Sequence, residues 1–130
     1  MPKNMTLPQA SEKIGELLQV IAPPARLAIL LAIGTGEACV CHLEAALGWR
    51  QAYISQHLMA LRKADILTDR REGRYIFYQL TNASFLELIT TSARLSGIPA
   101  ETVSALTNTQ VNPSCECPQC SPILIPATSL

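Results

Sequence analysis

Apolar positions near the start of the chain recur at helical spacing. Ser11 can cap a helix over residues 11–21, in which apolar side chains return every three or four residues. Two prolines stop it, and residues 24–33 are then almost entirely apolar, which predicts a second, central helix. Residues 1–8 have a polar character and contain two prolines, and residues 1–10 are predicted to be a flexible arm.

The next segment has a helix-turn-helix pattern. A short helix is predicted over residues 40–47, a tight turn over 48–50, and a further helix over 51–64. Two short helices joined by a three-residue turn that contains glycine are typical of this motif. The inward positions of the last helix are Ile54, Leu58 and Leu61. Its opposite, polar and aromatic face would be the one that reads base edges, which makes it the predicted recognition helix.

Two strands are predicted directly after this helix. Residues 66–71 and 75–80 flank a short turn in which Gly73 can supply the positive φ that a hairpin requires. A hairpin in this place is a wing, and its tip carries Arg70, Arg71 and Arg74. Such a basic tip can reach phosphates or the minor groove beside the recognition helix.

The remaining chain changes character near residue 108. A last long helix, capped by Asn82 or Ser84, is predicted to end near residue 95, with a further turn or two of helix before residue 107. Residues 108–130 are rich in Asn, Thr, Pro and Ser and form an irregular tail that contains three cysteines. The predicted fold is mainly α with a β-hairpin wing, in the order α-α-α-α-β-β-α, over a single domain of residues 11–107.

Composition narrows the class of protein. The 130 residues are 48% apolar, which is too high for a disordered chain, and no apolar run is long enough to cross a membrane. The N-terminus does not look like a signal peptide, so we expect a cytoplasmic protein. The sequence contains neither a phosphate-binding loop nor a His-Glu-x-x-His motif, and we expect no enzyme activity.

Net charge at first argues against nucleic-acid binding, because ten Lys and Arg balance ten Asp and Glu. The distribution changes that conclusion. Residues 49–75 hold six basic against three acidic side chains, whereas the flanking segments are slightly acidic. Since phosphate attraction acts over about a Debye length, roughly 8 Å at physiological salt, the basic middle of the chain counts more than the total.

The five cysteines indicate soft-metal chemistry. Cys39 and Cys41 lie at the start of the third helix, and their sulfurs can converge if Cys39 precedes the helix in an extended conformation. A helix N-terminus favours thiolates, which select soft ions such as Cd(II), Pb(II), Zn(II), Cu(I) or As(III). Two thiolates hold an ion weakly, and the other candidate ligands lie in the tail: Cys115, Cys117 and Cys120.

Three segments together resemble the ArsR/SmtB family of winged-helix metal-sensing repressors: residues 36–43, residues 54–62 with Ser-Gln-His-Leu-Met-Ala-Leu-Arg, and residues 70–80 with Gly-Arg-Tyr-Ile-Phe-Tyr-Gln-Leu. The resemblance implies a homodimer that binds operator DNA without metal and releases it on binding a metal or metalloid. Asp65 replaces the usual glycine, but Asp can also adopt the left-handed conformation.

The family also implies which residues act. The predicted DNA contacts are Gln51, Tyr53, Ser55, Gln56, His57, Arg62, Arg71 and Arg74. The family uses a Cys-Val-Cys segment to sense arsenic, antimony, cadmium or lead, and some members add a third cysteine where this chain has Glu44. We therefore expect the tail cysteines, of the same or the other subunit, to complete the set, with Cd(II) or Pb(II) favoured and As(III) or Zn(II) possible. The alternative is two separate sites, in which the three tail cysteines form a trigonal site that suits As(III).

Two other functions fit the same residues. Cysteine oxidation, or reaction with reactive sulfur species, could switch a winged-helix repressor through a disulfide. Alternatively, the protein is a constitutive regulator in which Zn(II) is only structural.

Overall fold

The computed structural model describes residues 4–107, which form six helices and three short strands. The elements are α1 (Leu7–Ile21), α2 (Pro24–Ile33), β1 (Glu37–Cys39), α3 (Val40–Leu47), α4 (Gln51–Lys63), β2 (Leu67–Glu72), β3 (Tyr75–Leu80), α5 (Ser84–Leu95) and α6 (Ala100–Thr107). This order confirms the predicted winged helix-turn-helix and adds one strand, β1, that was not predicted.

The start of α1 differs from the prediction. The helix begins at Leu7, because Thr6 rather than Ser11 is its N-cap. The Gln9 backbone N–H donates to the Thr6 hydroxyl oxygen at 3.3 Å, while the Thr6 N–H donates to the Gln9 side-chain oxygen at 2.9 Å. This reciprocal capping box satisfies two N–H groups that a helix start leaves open. The predicted arm over residues 1–10 is therefore wrong for its last residues, which are helical.

The sheet is antiparallel, and its strand order is β1-β3-β2. β2 and β3 form the predicted wing, in which Gly73 has a φ of 61°. β1 was missed because three residues carry too little alternation to predict a strand, and its hydrogen-bonding partners lie some forty residues further along the chain. It places Cys39 directly opposite Phe77.

A core centred on α2 fixes the recognition helix. Ile29 and Leu30 of α2 are completely buried. The three predicted inward positions of α4 are buried in the same cluster: Ile54, Leu58 and Leu61. Asp65 ends the helix with a φ of 60°, the left-handed conformation expected for it, and the Ile66 N–H bonds back to the Leu61 carbonyl. The outer face of α4 is thereby turned to solvent.

The apolar stripe of α1 is mostly uncovered by the rest of the chain. Ile14, Leu17 and Leu18 are exposed, and only Ile21 at the end of the helix is buried. At the other end of the chain, Leu95 of α5 is 86% exposed. Apolar residues at regular spacing on a solvated face are typical of a surface that another molecule covers.

Within residues 4–107, no single helix is long and apolar enough to cross a membrane. α1 and α2 reach the required length and composition only as a pair, and a bend of 77° separates them.

Candidate DNA-binding surface and thiol site

The outer face of α4 presents the predicted base-reading residues to solvent. Gln51 and Gln56 are exposed, Tyr53 is 46% exposed, and Ser55 is half-buried beside them. The rigid core on the inner face holds this surface in place. A helix with amide, hydroxyl and phenol groups along one face can donate to and accept from base edges in a major groove.

His57 occupies a different environment from the other predicted contacts. Its Nδ1 accepts a hydrogen bond from Arg26 Nε of α2 at 3.2 Å, and its ring meets that of Tyr53 edge-on at 4.8 Å. Trp49 extends the row, since its ring lies 5.5 Å from that of Tyr53. Burial and the positive charge of Arg26 both lower the pKa of His57. The structure thus places His57 against α2, where it aligns the recognition helix, while its predicted DNA contact stays a prediction.

The arginines of this region fall into two groups. Arg62 pairs with Asp69 of β2 at 3.1 Å, and Arg70 forms a two-pronged pair with Glu37. By contrast, Arg71 and Arg74 are exposed and have no acidic partner within residues 4–107. These two wing cations are therefore the ones available to phosphates.

Sequence reasoning missed two further cations. Arg50 directly precedes α4, and Lys63 is its last residue; both are exposed. Their place at the two ends of the predicted recognition helix is a signal that the charge count of residues 49–75 already contained. Both can contact the phosphates that flank the bases facing α4.

The thiol pair has the predicted geometry. Cys39 is both the last residue of β1 and the N-cap of α3, with an extended backbone at φ −86° and ψ 167°. Its Sγ lies 2.7 Å from that of Cys41 and accepts a hydrogen bond from the His42 N–H at 3.3 Å; no disulfide joins the two cysteines. Two sulfurs this close can contact one ion, because metal–sulfur bonds are about 2.3 Å long.

A pocket of about 240 Å³ opens beside the thiols. It is lined by Cys39, Val40, Cys41, Glu44, Gln51, Arg74, Tyr75 and Ile76. The recognition helix supplies Gln51, and the wing supplies Arg74. The candidate metal ligands and two predicted DNA contacts therefore share one pocket.

Cys39 and Cys41 are the only two of the predicted ligands that the described residues contain. Cys115, Cys117 and Cys120 lie outside the described residues. Within residues 4–107, no three His, Cys, Asp or Glu side chains stand close enough to hold a metal ion together. Sequence reasoning did not single out His42, which is buried next to Cys41. Its position in a short helix of mainly apolar residues was the available signal.

Comparison with known proteins identifies the fold and relates it to regulators. The profile of the family described as bacterial regulatory protein, arsR family, matches residues 23–69, which run from the start of α2 into the wing. Among solved structures, reduced HlyU from Vibrio cholerae has a TM-score of 0.63 and 31% identity, covering 68% of this chain and 94% of that one.

Two curated relatives are similar at the sequence level. The arsenical resistance operon repressor of Escherichia coli is 40% identical over 67 residues, which are 51% of this chain and 57% of that protein. The biofilm growth-associated repressor of Agrobacterium fabrum is 42% identical over 77 residues, 59% of this chain and 66% of that protein. The chain thus spans less than two thirds of the length of these relatives.

The Arg26–His57 contact predicts a pH-dependent stability. The pKa of His57 is lowered from 6.5 in the folded protein, so the unfolded chain binds more protons as the pH falls below that value. The free energy of unfolding of the wild type should therefore decrease as the pH is lowered from about 7 to 5. Urea denaturation at each pH measures it.

His57→Asn is the matched control for this measurement. It keeps an oxygen that can accept from Arg26 but has no proton to gain. Its stability should vary less with pH, while His42 is present in both proteins. Equal pH slopes in the two proteins would contradict the assignment to His57.

Proposed function

Because the chain belongs to the ArsR family of bacterial regulatory proteins, we propose that it is a transcriptional repressor that binds operator DNA as a homodimer. It releases the DNA when a soft, thiophilic metal or metalloid ion binds Cys39 and Cys41. The observation that carries this proposal is the pair of sulfurs 2.7 Å apart in a pocket shared with Gln51 and Arg74. The relatives reported above are named as repressors, not as enzymes.

The DNA-binding part of the proposal rests on exposure and charge. The outer face of α4 enters the major groove with Gln51, Tyr53 and Gln56. Arg71 and Arg74 of the wing neutralise phosphates on one side. These side chains are accessible, and the two wing cations have no acidic partner within the described part of the chain.

The homodimer rests on the uncovered apolar face of α1. Burying exposed leucine and isoleucine side chains contributes about 1.5–3 kcal/mol for each residue that is fully covered. Ile14, Leu17 and Leu18 could contribute in this way if a second copy covered them. A two-fold dimer would also present two copies of α4, as a palindromic operator requires.

The inducing ion binds where thiolates are favoured. The N-terminus of α3 and the His42 N–H both stabilise a negative charge on Cys39 Sγ. Since the described residues supply only two sulfurs, a further ligand comes from Cys115, Cys117 or Cys120, of the same or the partner subunit. Cd(II) or Pb(II) suits three or four sulfurs, and As(III) suits three. Similarity to the E. coli arsenical resistance operon repressor supports keeping As(III) as a candidate beside Cd(II) and Pb(II).

A redox switch is a second candidate, because the same short distance also favours a disulfide. Oxidation by hydrogen peroxide would join Cys39 Sγ to Cys41 Sγ; the two thiols lose two electrons and two protons, and the hydrogen peroxide is reduced to two molecules of water. The similarity to a structure titled as reduced HlyU makes the alternative worth testing. Operator release by peroxide alone, with no response to thiophilic ions, would favour this function.

Replacing both helix cysteines separates sensing from DNA binding. Cys39→Ser with Cys41→Ser should leave metal-free operator affinity within a few-fold of the wild type, since neither sulfur lies on the outer face of α4. The variant should no longer release the operator with Cd(II), Pb(II) or arsenite, and thiolate-to-metal absorption in the ultraviolet should fall. Fluorescence anisotropy of a labelled duplex measures release. Loss of metal-free DNA binding would refute this division of roles.

Removing the tail tests the source of the remaining ligand. A chain truncated after Gln110 lacks all three tail cysteines and should bind the ion more weakly and release the operator less. The matched control is the full-length chain with the three tail cysteines changed to serine, which should behave in the same way. Full induction of both variants would show that the tail supplies no ligand.

Arg74→Ala tests the wing contact. If Arg74 neutralises one phosphate, the variant should bind all duplexes more weakly and lower the slope of log affinity against log salt by about one unit. Lys13→Ala, which removes an exposed cation from α1, is the control and should leave the slope unchanged. An unchanged slope in Arg74→Ala would exclude that phosphate contact.

A further inference from the structure

We propose that Arg70 is a positioning residue that couples the thiol pair to the wing, rather than one of the cations that contact DNA. This inference rests on the proposed function and specifies how the ion reaches the DNA-binding surface. Arg70 lies on β2 between the basic wing tip and the core, and it was the first of the three arginines predicted to reach phosphates.

Three N–H groups of the Arg70 guanidinium donate to carboxylates within the chain. Its Nε and Nη2 donate to the two carboxylate oxygens of Glu37 at 2.7 and 2.8 Å, and its Nη1 donates to Glu72 at 3.1 Å. The hydrogen bonds from Arg70 are the main reason that the pKa of Glu37 is lowered. A planar, two-pronged pair of this kind fixes orientation as well as distance. A phosphate could form a two-pronged contact with Nε and Nη2 of Arg70 only by displacing Glu37.

The same pair joins the two edge strands of the sheet. Cys39 of β1 and Arg70 of β2 are both register partners of Phe77 in the central strand. Register partners point to the same face of a sheet, so Cys39, Phe77 and Arg70 form one row across it. Glu37, two residues before Cys39, lies on that face as well.

Phe77 makes this row a continuous contact. Phe77 is 1% exposed and packs with Cys39, and the Arg70 guanidinium lies 4.6 Å from its ring centroid. Closely packed side chains transmit a displacement instead of absorbing it. An ion that moves the two sulfurs apart therefore displaces Phe77 and β1. The Arg70–Glu37 pair transmits both displacements to β2 and the rest of the wing.

The coupling between ion binding and operator binding can be measured. The coupling factor is the ratio of operator dissociation constants with and without the ion. Arg70→Gln removes the charged pair but leaves both cysteines, the outer face of α4 and the wing cations intact. We expect its metal-free operator affinity and salt slope to match the wild type, while its coupling factor falls at least about fivefold. Arsenite and Cd(II) serve as the ions, and anisotropy of a labelled duplex from the region upstream of the gene is the measurement.

Two further variants separate positioning from other roles. Glu37→Gln should cause the same loss of coupling, and the double variant should lose no more than either single one, because all three remove one interaction. Arg71→Gln is the matched control, one residue away on the same strand. It should lower the salt slope by about one unit and leave the coupling factor unchanged.

Three results would contradict the proposed role of Arg70. If Arg70→Gln lowers the salt slope as Arg71→Gln does, or if it keeps the wild-type coupling factor, Arg70 is not the coupling residue. If the Arg70→Gln and Glu37→Gln losses add in the double variant, the pair does not act as one unit and the inference is wrong. If no ion releases the wild-type protein from its operator, the proposed function fails and this inference fails with it. Ultraviolet absorption of the ion-bound variants confirms that the thiol site itself is intact.

Discussion

The arrangement of this molecule depends on Cys39 being the last residue of a strand and the cap of a helix at once. Both roles require an extended backbone, and the φ and ψ of Cys39 satisfy them together. Pairing with β3 places Cys39 opposite Phe77. Because Cys39 also caps α3, its Sγ lies close to that of Cys41. A cysteine inside a regular helix could not meet its neighbour two positions away, because residues at that spacing lie on different faces.

The second constraint is the division of the arginines between internal pairs and open positions. The chain has no net charge, and yet its wing offers cations to solvent. Internal pairing of Arg62 and Arg70 uses the carboxylates of Asp69, Glu37 and Glu72, which leaves Arg71 and Arg74 for an anionic partner. An exposed ion pair contributes little to stability, so these pairs matter more for where they hold the strands than for how strongly.

Much of the fold could be predicted because its signals are local. The bounds of α2 and β3 follow from two prolines and from the residues around Gly73, and the inward positions of α4 follow from helical spacing. The left-handed Asp65 could also be foreseen at the end of α4. The errors arose where two local signals competed or where the partner was distant. Thr6 and Ser11 are both good helix caps, and only the contact with Gln9 distinguishes them. β1 is a strand only because its backbone pairs with that of β3, which is distant in the sequence.

The helix-turn-helix, the basic wing and the soft donor chemistry of the cysteines can be read from the amino-acid sequence alone. Each of these depends on spacing or residue type within a few positions. Three contacts become visible only in the folded chain. Arg70 bonds to Glu37, which is 33 residues away in the sequence, His57 bonds to Arg26, which is 31 residues away, and Cys39 packs on Phe77. Such contacts depend on how the strands and helices are placed relative to one another. That placement is fixed by the burial of the whole core, which no single segment of the sequence encodes.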